Sequence, residues 1–150
     1  MSIDLLIIGG IALLLFGTLY FKGTALILGS VLSATFSLYT AQYLFTSGVL
    51  SVSPFIQKIL VAILLLLGIA SFSSIIKNRT LRYSLSKKLL AVLIAILATL
   101  YIVGMYLQLL PGTLYEFTPA IRDFYITKIG FTGVLFLIPF ILPFLLRKVD

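Results

Sequence analysis

The sequence predicts an all-α, polytopic integral membrane protein, and three observations support that fold class. Of the 150 residues, 61% are hydrophobic and 10% are charged, and a soluble domain of this length has too much surface to cover with so few charges. The mean hydropathy is +1.24. The hydrophobic residues form five continuous runs, and none of them alternates as the strands of a membrane barrel do.

The five runs predict five transmembrane helices within a single domain that covers residues 1–150. Each run holds 18 to 22 residues. A helix of about 20 residues, rising about 1.5 Å per residue, crosses a hydrocarbon core about 30 Å thick. The approximate bounds of the spans are 3–21, 24–45, 59–76, 89–110 and 129–146.

The first run is interpreted as a retained span rather than a secretory signal peptide. It carries Asp4 where such a peptide has basic residues, its apolar stretch is too long, and no small-x-small cleavage site follows it. Only a tight turn around Lys22 and Gly23 separates it from the second span, which predicts an antiparallel hairpin.

Two serine/threonine–proline pairs predict helix starts. Ser53-Pro54 places an N-cap residue before a proline at the first helical position, and Thr118-Pro119 repeats this pattern before AIRDFYITK. One face of that later segment is apolar, at Ile121, Phe124 and Tyr125. We interpret the segment as a short helix in the headgroup layer, with an ordinary loop as the alternative.

The last span contains Pro139 and Pro143, each of which removes a backbone hydrogen-bond donor. We therefore expect this helix to kink or partly unwind near its cytoplasmic end. Protein should cover that end, because a broken helix exposed to lipid is costly. The sequence leaves open whether the span crosses fully or is broken at the prolines.

The cations predict the orientation, because the cytoplasmic loops of membrane proteins are enriched in Lys and Arg. With five spans, Lys22, the loop 77–88 and the tail with Arg147 and Lys148 share one side, which then holds eight of the eleven cations. The three on the other side are Lys58, Arg122 and Lys128. This division places the N-terminus outside and the C-terminus in the cytoplasm.

The loop KNRTLRYSLSKK concentrates positive charge and contains no acid. Its five cations are Lys77, Arg79, Arg82, Lys87 and Lys88. The simplest interpretation is a topological signal. The same side chains are candidates for contact with a soluble partner or with anionic lipid, at about 1 kcal/mol per cation. Nucleic acid is not an expected partner, because the loop is too short to form a domain and its single aromatic residue makes no stacking platform.

Small residues recur every four positions in the second and fourth spans. The candidate packing faces are Gly29, Ser33 and Ser37, and Ala91, Ala95 and Thr99. Such faces let helix backbones approach closely, and buried hydroxyls can hydrogen-bond across the contact. Packing between spans of this chain and docking of another membrane subunit both fit the pattern.

The composition excludes several classes of function. The chain has no Cys, His or Trp, which excludes disulfides, thiolate or imidazole metal sites, and Cys- or His-based catalysis. No Asp, Glu, Lys, Arg or His lies centrally in a span, which argues against proton relays, ion-coupled transport and voltage sensing. Glu116 and Asp123 share a loop but are expected to be solvated. We expect no enzyme activity and no catalytic, cofactor-binding or metal-binding residues.

One stretch resembles the start of the colicin V production protein family: IDLLIIGGIALLLFGTLYFKGTALILGSVLSATFSLYTA. The matching positions are Ile3, Asp4, Gly17, Lys22 and Gly23. Looser similarity extends over residues 3–120 and includes LLPGTLYEFTP in an exported loop. The chain departs from the family pattern in three ways. The turn from Gly17 to Gly23 is stretched, the apolar run TALIL replaces an acid that usually follows this turn, and a fifth span is added. The resemblance implies a bacterial inner-membrane protein tied to envelope function or secretion, without catalytic residues.

Two functions of different class follow from these features, and the first is favoured over the second, which is the alternative. The first is a non-catalytic membrane subunit or scaffold of a larger complex, supported by short loops, small-residue faces and the absence of charge within the spans. An organellar respiratory-complex subunit belongs to this class. The second is an autonomous pore or carrier for an uncharged or lipidic substrate. The expected partners are the lipid bilayer, anionic lipids at the basic loop, and other membrane subunits.

Overall fold

The computed structural model describes residues 3–22, 24–76, 85–110, 112–125 and 135–149. Its helices are α1 (Ile3–Lys22), α2 (Thr24–Thr46), α3 (Pro54–Ile75), α4 (Leu85–Leu109), α5 (Pro119–Asp123) and α6 (Leu135–Val149). No strand occurs among the residues described. The predicted all-α class is therefore confirmed.

Three of these helices are long and apolar enough to cross a membrane. The stretches that meet this condition are Ala25–Thr46, Pro54–Ile75 and Lys87–Leu109. Two further apolar stretches, in α1 and α6, are shorter: Ile3–Thr18 and Leu137–Arg147. The helices fit a membrane protein, as the composition predicts.

The third helix begins at Pro54, as the Ser53-Pro54 pair predicts, ahead of the apolar run that starts near residue 59. The polar residues Gln57 and Lys58 lie near its start. They interrupt the apolar run, although the backbone is already helical there. Ser53 precedes the helix in an extended conformation (φ −59°, ψ 153°) and makes no side-chain capping hydrogen bond. The start thus follows from the fixed φ of Pro54 and from the extended backbone that a proline imposes on the residue before it.

The last helix continues through both of its prolines. Pro139 and Pro143 lie inside α6, so the expected unwinding is not seen in residues 135–149. Each proline leaves one carbonyl of the helix without its usual donor. The donor missing at Pro143 would have bonded the carbonyl of Pro139, and the donor missing at Pro139 would have bonded Leu135 at the start of the described helix.

Helices α2 and α4 form the centre of the protein. Helix α2 packs most extensively on α3 and also contacts α4, α1 and α6, while α1 and α6 both pack on α4. Over half of the apolar stretch of α2 and of α4 is buried inside the protein, against 6% for α3. Helix α3 is therefore peripheral and contacts the rest of the fold along one narrow strip.

A hydrogen bond between side chains joins the two central helices. Thr35 Oγ1 donates to the carbonyl of Val31 at 2.9 Å in its own helix, and lies 2.6 Å from the hydroxyl of Tyr101. Because a threonine hydroxyl has one proton to donate, Tyr101 must be the donor in the second bond. Tyr101 is 1% exposed, so this bond satisfies its hydroxyl inside the α2–α4 contact.

The segment after Thr118 forms a short helix, as predicted, but its apolar face is divided. Tyr125 is buried, Ile121 is half-buried and Phe124 is exposed. Several predicted features lie outside the described residues. These are the turn at Gly23, the cation Lys128, and Lys77, Arg79 and Arg82 of the basic loop.

Candidate functional site

The small-residue face of α2 lies against α3. Gly29, Ser33 and Ser37 are buried. Ser33 Oγ donates to the carbonyl of Leu65 at 2.7 Å, and Ser37 Oγ donates to the carbonyl of Leu64 at 2.8 Å. Most other described hydroxyls within the helices, such as that of Ser30, donate to carbonyls of their own helix. The two serines instead bind two helices together.

Gly68 makes this close contact sterically feasible. A Cβ at this position would overlap Ser33 Oγ and would lie 3.0 Å from Ser33 Cβ and from Ser37 Oγ. Gly29 plays the reciprocal part, because a Cβ there would overlap Ser73 Oγ and lie 3.0 Å from its backbone nitrogen. Sequence analysis did not identify Gly68, although it is the single glycine of α3.

The second small-residue face, on α4, is also internal. Ala91, Ala95 and Thr99 are each at most 3% exposed. Thr99 Oγ1 donates to the carbonyl of Ala95 at 2.7 Å, within its own helix. Both predicted faces are thus buried inside the chain, and neither lies on the surface that another subunit would meet.

A buried carboxylate forms the main polar contact between distant parts of the chain. Asp4, in the first turn of α1, is 1% exposed. Its Oδ1 accepts a hydrogen bond from the Tyr115 hydroxyl at 2.7 Å. Its Oδ2 accepts from the Thr118 backbone nitrogen at 3.1 Å and from Thr118 Oγ1 at 2.5 Å. Thr118 therefore uses its side chain to bind Asp4 rather than to cap α5, where no side-chain cap is formed.

The Tyr115 hydroxyl remains a donor at neutral pH. The hydrogen bond to the Asp4 carboxylate is the largest cause that raises the pKa of Tyr115, and burial and the charge of Asp4 act in the same direction. An ordinary tyrosine has a pKa near 10, so a raised value keeps the proton on the phenol. The Asp4–Tyr115 bond is therefore a charge-assisted one.

Tyr106 of α4 also binds the loop that contains Tyr115 and Thr118. Its hydroxyl accepts from the backbone nitrogens of Leu114 and Tyr115 at 2.8 and 2.9 Å, and it donates to the carbonyl of Tyr115 at 2.8 Å. One side chain of α4 thus satisfies three backbone groups that regular secondary structure would otherwise pair. Phe117 packs edge-on against the rings of both tyrosines.

The loop and the helices enclose an apolar groove, which is the candidate functional site. One cavity of about 210 Å³ lies beneath the loop, and a second of about 360 Å³ lies further along α1. Both are lined by Ile11, Leu65 and Ile102, so the two cavities are neighbours, and we call the pair the groove between α1 and α3. The loop contributes Leu114, Tyr115 and Phe117.

The groove is apolar along its length. Among the described residues its lining includes four hydroxyls, and each donates its proton to the protein. Thr18 and Ser30 donate to carbonyls of their own helices, Tyr106 donates to the carbonyl of Tyr115, and Tyr115 donates to Asp4. The groove therefore offers a bound molecule van der Waals contact and no free hydroxyl donor.

Neither the described cations of the basic loop nor the two acids after α4 are among the residues that line the groove. Lys87 is half-buried and Lys88 exposed in the first turn of α4. Glu116 is 79% exposed and lies 3.9 Å from Arg122, and Asp123 is also exposed. Among the described ranges, no group of three or more acidic side chains could hold a metal ion.

Asp4 is the important site residue that sequence analysis left without a role. Its partners are more than one hundred positions away, so no local motif marks them. A signal was nevertheless present, because Asp4 is the one acid before residue 116 and it lies within an apolar run. An acid in such a position needs hydrogen-bond donors when it is buried.

The chain was compared with protein-family models, with curated proteins and with solved structures, and it matches none of them.

Proposed function

We propose that this protein is a non-enzymatic, five-span membrane protein that holds an apolar, lipidic chain in the groove between α1 and α3. The observation that supports the proposal is the presence of two neighbouring apolar cavities along α1. This is the lipid-handling form of the pore-or-carrier function that the sequence leaves open.

The dimensions of the groove suit one acyl chain. From Ile7 to Thr18 it follows α1 for about 16 Å, roughly half of a hydrocarbon core. Cavities of about 210 and 360 Å³ are too small for a helix with its side chains, which is about 10–12 Å across. Since the bilayer is as apolar as the groove, binding depends on shape and close contact rather than on the hydrophobic effect.

Substituting Ile11 tests this function, because Ile11 lines both cavities. We expect Ile11→Trp to weaken lipid retention by about tenfold, since an indole in the groove imposes an overpacking cost of about 1–3 kcal/mol on a bound chain. The measurement is native mass spectrometry of protein purified in mild detergent. The matched control is Leu13→Trp, because Leu13 is 73% exposed on the same helix. Equal lipid occupancy in both variants would contradict the proposal.

A subunit or scaffold of a larger membrane complex is the second candidate. It is favoured by the outer face of α3, where Ile63, Leu66 and Leu67 are exposed. The same mass spectra distinguish the two functions. A second membrane protein bound in fixed stoichiometry supports the subunit, and bound lipid without such a partner supports the lipid-handling protein.

The proposed topology has five spans, with α1 and α6 as the first and last. It places the N-terminus outside and the basic loop 77–88 in the cytoplasm, where Lys87 and Lys88 can meet anionic lipid. We propose the bacterial inner membrane and an envelope or secretion role, as the resemblance to the colicin V production protein family implies. Short helix α5 would lie in the headgroup layer.

Reporter fusions test this orientation. A fusion of alkaline phosphatase within residues 77–88 should be inactive, because the reporter would remain in the cytoplasm. A fusion within residues 112–118 should be active. The reverse pattern would overturn the orientation, and activity at both positions would overturn the membrane crossing of α4 between them.

A further inference from the structure

We infer that residues 112–118 form a lid over one end of the groove and that Asp4 is its latch. This inference rests on the proposed function of the groove. It adds a way for that end of the groove to open, with Asp4 as a positioning residue that acts through the lid.

The lid forms part of the cavity wall. Leu114, Tyr115 and Phe117 line the cavity of about 210 Å³, opposite Ile7 of α1 and Val103 of α4. No other residues of the described loop line it. Movement of these three side chains away from α1 would open the cavity at its end.

The lid has few backbone constraints of its own. Residues 112–118 form no helix or strand, and Gly112 adopts a positive φ of 77° at their start. Glycine reaches this conformation without steric cost, which suits a pivot between α4 and the lid. Leu114 is 38% exposed, so the lid also faces the exterior.

The two polar anchors of the lid have different effects. Tyr106 binds the backbone of residues 114 and 115, only eight and nine positions away, and so holds the lid to α4. Asp4 binds Tyr115 and Thr118 across 111 and 114 positions, and so holds the lid to α1. Asp4 accepts one bond from Tyr115 and two from Thr118. Within the described ranges, these are the hydrogen bonds between α1 and the lid. Loss of Asp4 would therefore free the lid from α1 while Tyr106 keeps it on α4.

Cysteine labelling tests the latch, because the chain has no native cysteine. Val103→Cys places a thiol in the cavity wall, at a position that is 2% exposed. With Asp4 replaced by Ala, a water-soluble maleimide should label this thiol at least about tenfold faster, since three charge-assisted hydrogen bonds are lost. The control is Glu116→Gln, which removes an exposed acid of the lid and should leave the rate unchanged.

A second reporter separates lid opening from unfolding. Ala98→Cys lies in α4, is fully buried and does not line the groove, so its labelling should stay slow in the Asp4→Ala background. If Asp4→Ala accelerates the labelling of both thiols equally, the Tyr115→Phe variant distinguishes lid opening from unfolding. It removes one latch bond and should still accelerate labelling at Val103→Cys alone.

An unchanged rate at Val103→Cys in both the Asp4→Ala and the Tyr115→Phe backgrounds would overturn the lid. These rates are measured without reference to bound lipid. A lid that opens as expected, together with unchanged lipid retention in Ile11→Trp, would therefore reject the proposed occupant and keep the latch.

Discussion

Replacing Gly68 with alanine is expected to lower the free energy of unfolding by about 1–3 kcal/mol, the range for overpacking a close contact. The new methyl group would overlap Ser33 Oγ and approach Ser37 Oγ to 3.0 Å. Rotation of the serine hydroxyls cannot relieve the clash, because Ser33 Cβ also lies 3.0 Å away. Separation of the helices would break the bonds from both serines to the carbonyls of α3.

Equilibrium unfolding in mixed micelles, followed by circular dichroism, measures this effect. Gly17→Ala is the matched control, because a Cβ at Gly17 meets no atom within 4 Å. The control should be neutral or slightly stabilising, since alanine favours the helix over glycine by about 0.5–1 kcal/mol. Equal stabilities for the two variants would mean that α2 and α3 are not in the contact described.

The second large effect is expected from Tyr106→Phe, with a loss of about 1–3 kcal/mol in the free energy of unfolding, the cost of leaving buried polar groups unpaired. Without the hydroxyl, the nitrogens of Leu114 and Tyr115 lose their acceptor, and the carbonyl of Tyr115 loses its donor. The ring itself is retained, so packing against Phe117 should persist.

Tyr43→Phe provides the control, since Tyr43 is 67% exposed and its hydroxyl can bond water. The same unfolding measurement applies, and the labelling rate of Val103→Cys reports separately on opening of the lid. A variant as stable as the control, with unchanged labelling, would show that Tyr106 does not hold residues 114 and 115.

The lipid-handling function is our proposal, whereas the sequence favours a subunit of a larger complex. The small-residue faces were the strongest sequence argument for a docking surface, and the structure buries both inside the chain. The two neighbouring apolar cavities are the basis of our proposal that the protein accommodates a lipidic chain. The outer face of α3 still leaves room for a partner, which the mass spectra would identify.

The sequence determined the class and the approximate positions of the helices. Long apolar runs with few charges can satisfy their backbones only as helices in lipid, and Pro54 and Pro119 mark two helix starts because proline has a fixed φ. Gly29 and Ser33 also indicated a close helix contact. None of these signals depends on which helices are neighbours.

Only the tertiary structure decided which helices pair, and where polar groups meet. A helix that is apolar on every side has no polar face to indicate its orientation, so shape and interhelical hydrogen bonds select its partner. The role of Gly68 depends on the opposing serines, and the role of Asp4 depends on Tyr115 and Thr118, more than one hundred residues away. The groove exists because α1 packs on α4 and α2, α3 packs on α2, and space remains between α1 and α3. The hydropathy of either helix alone cannot specify this arrangement.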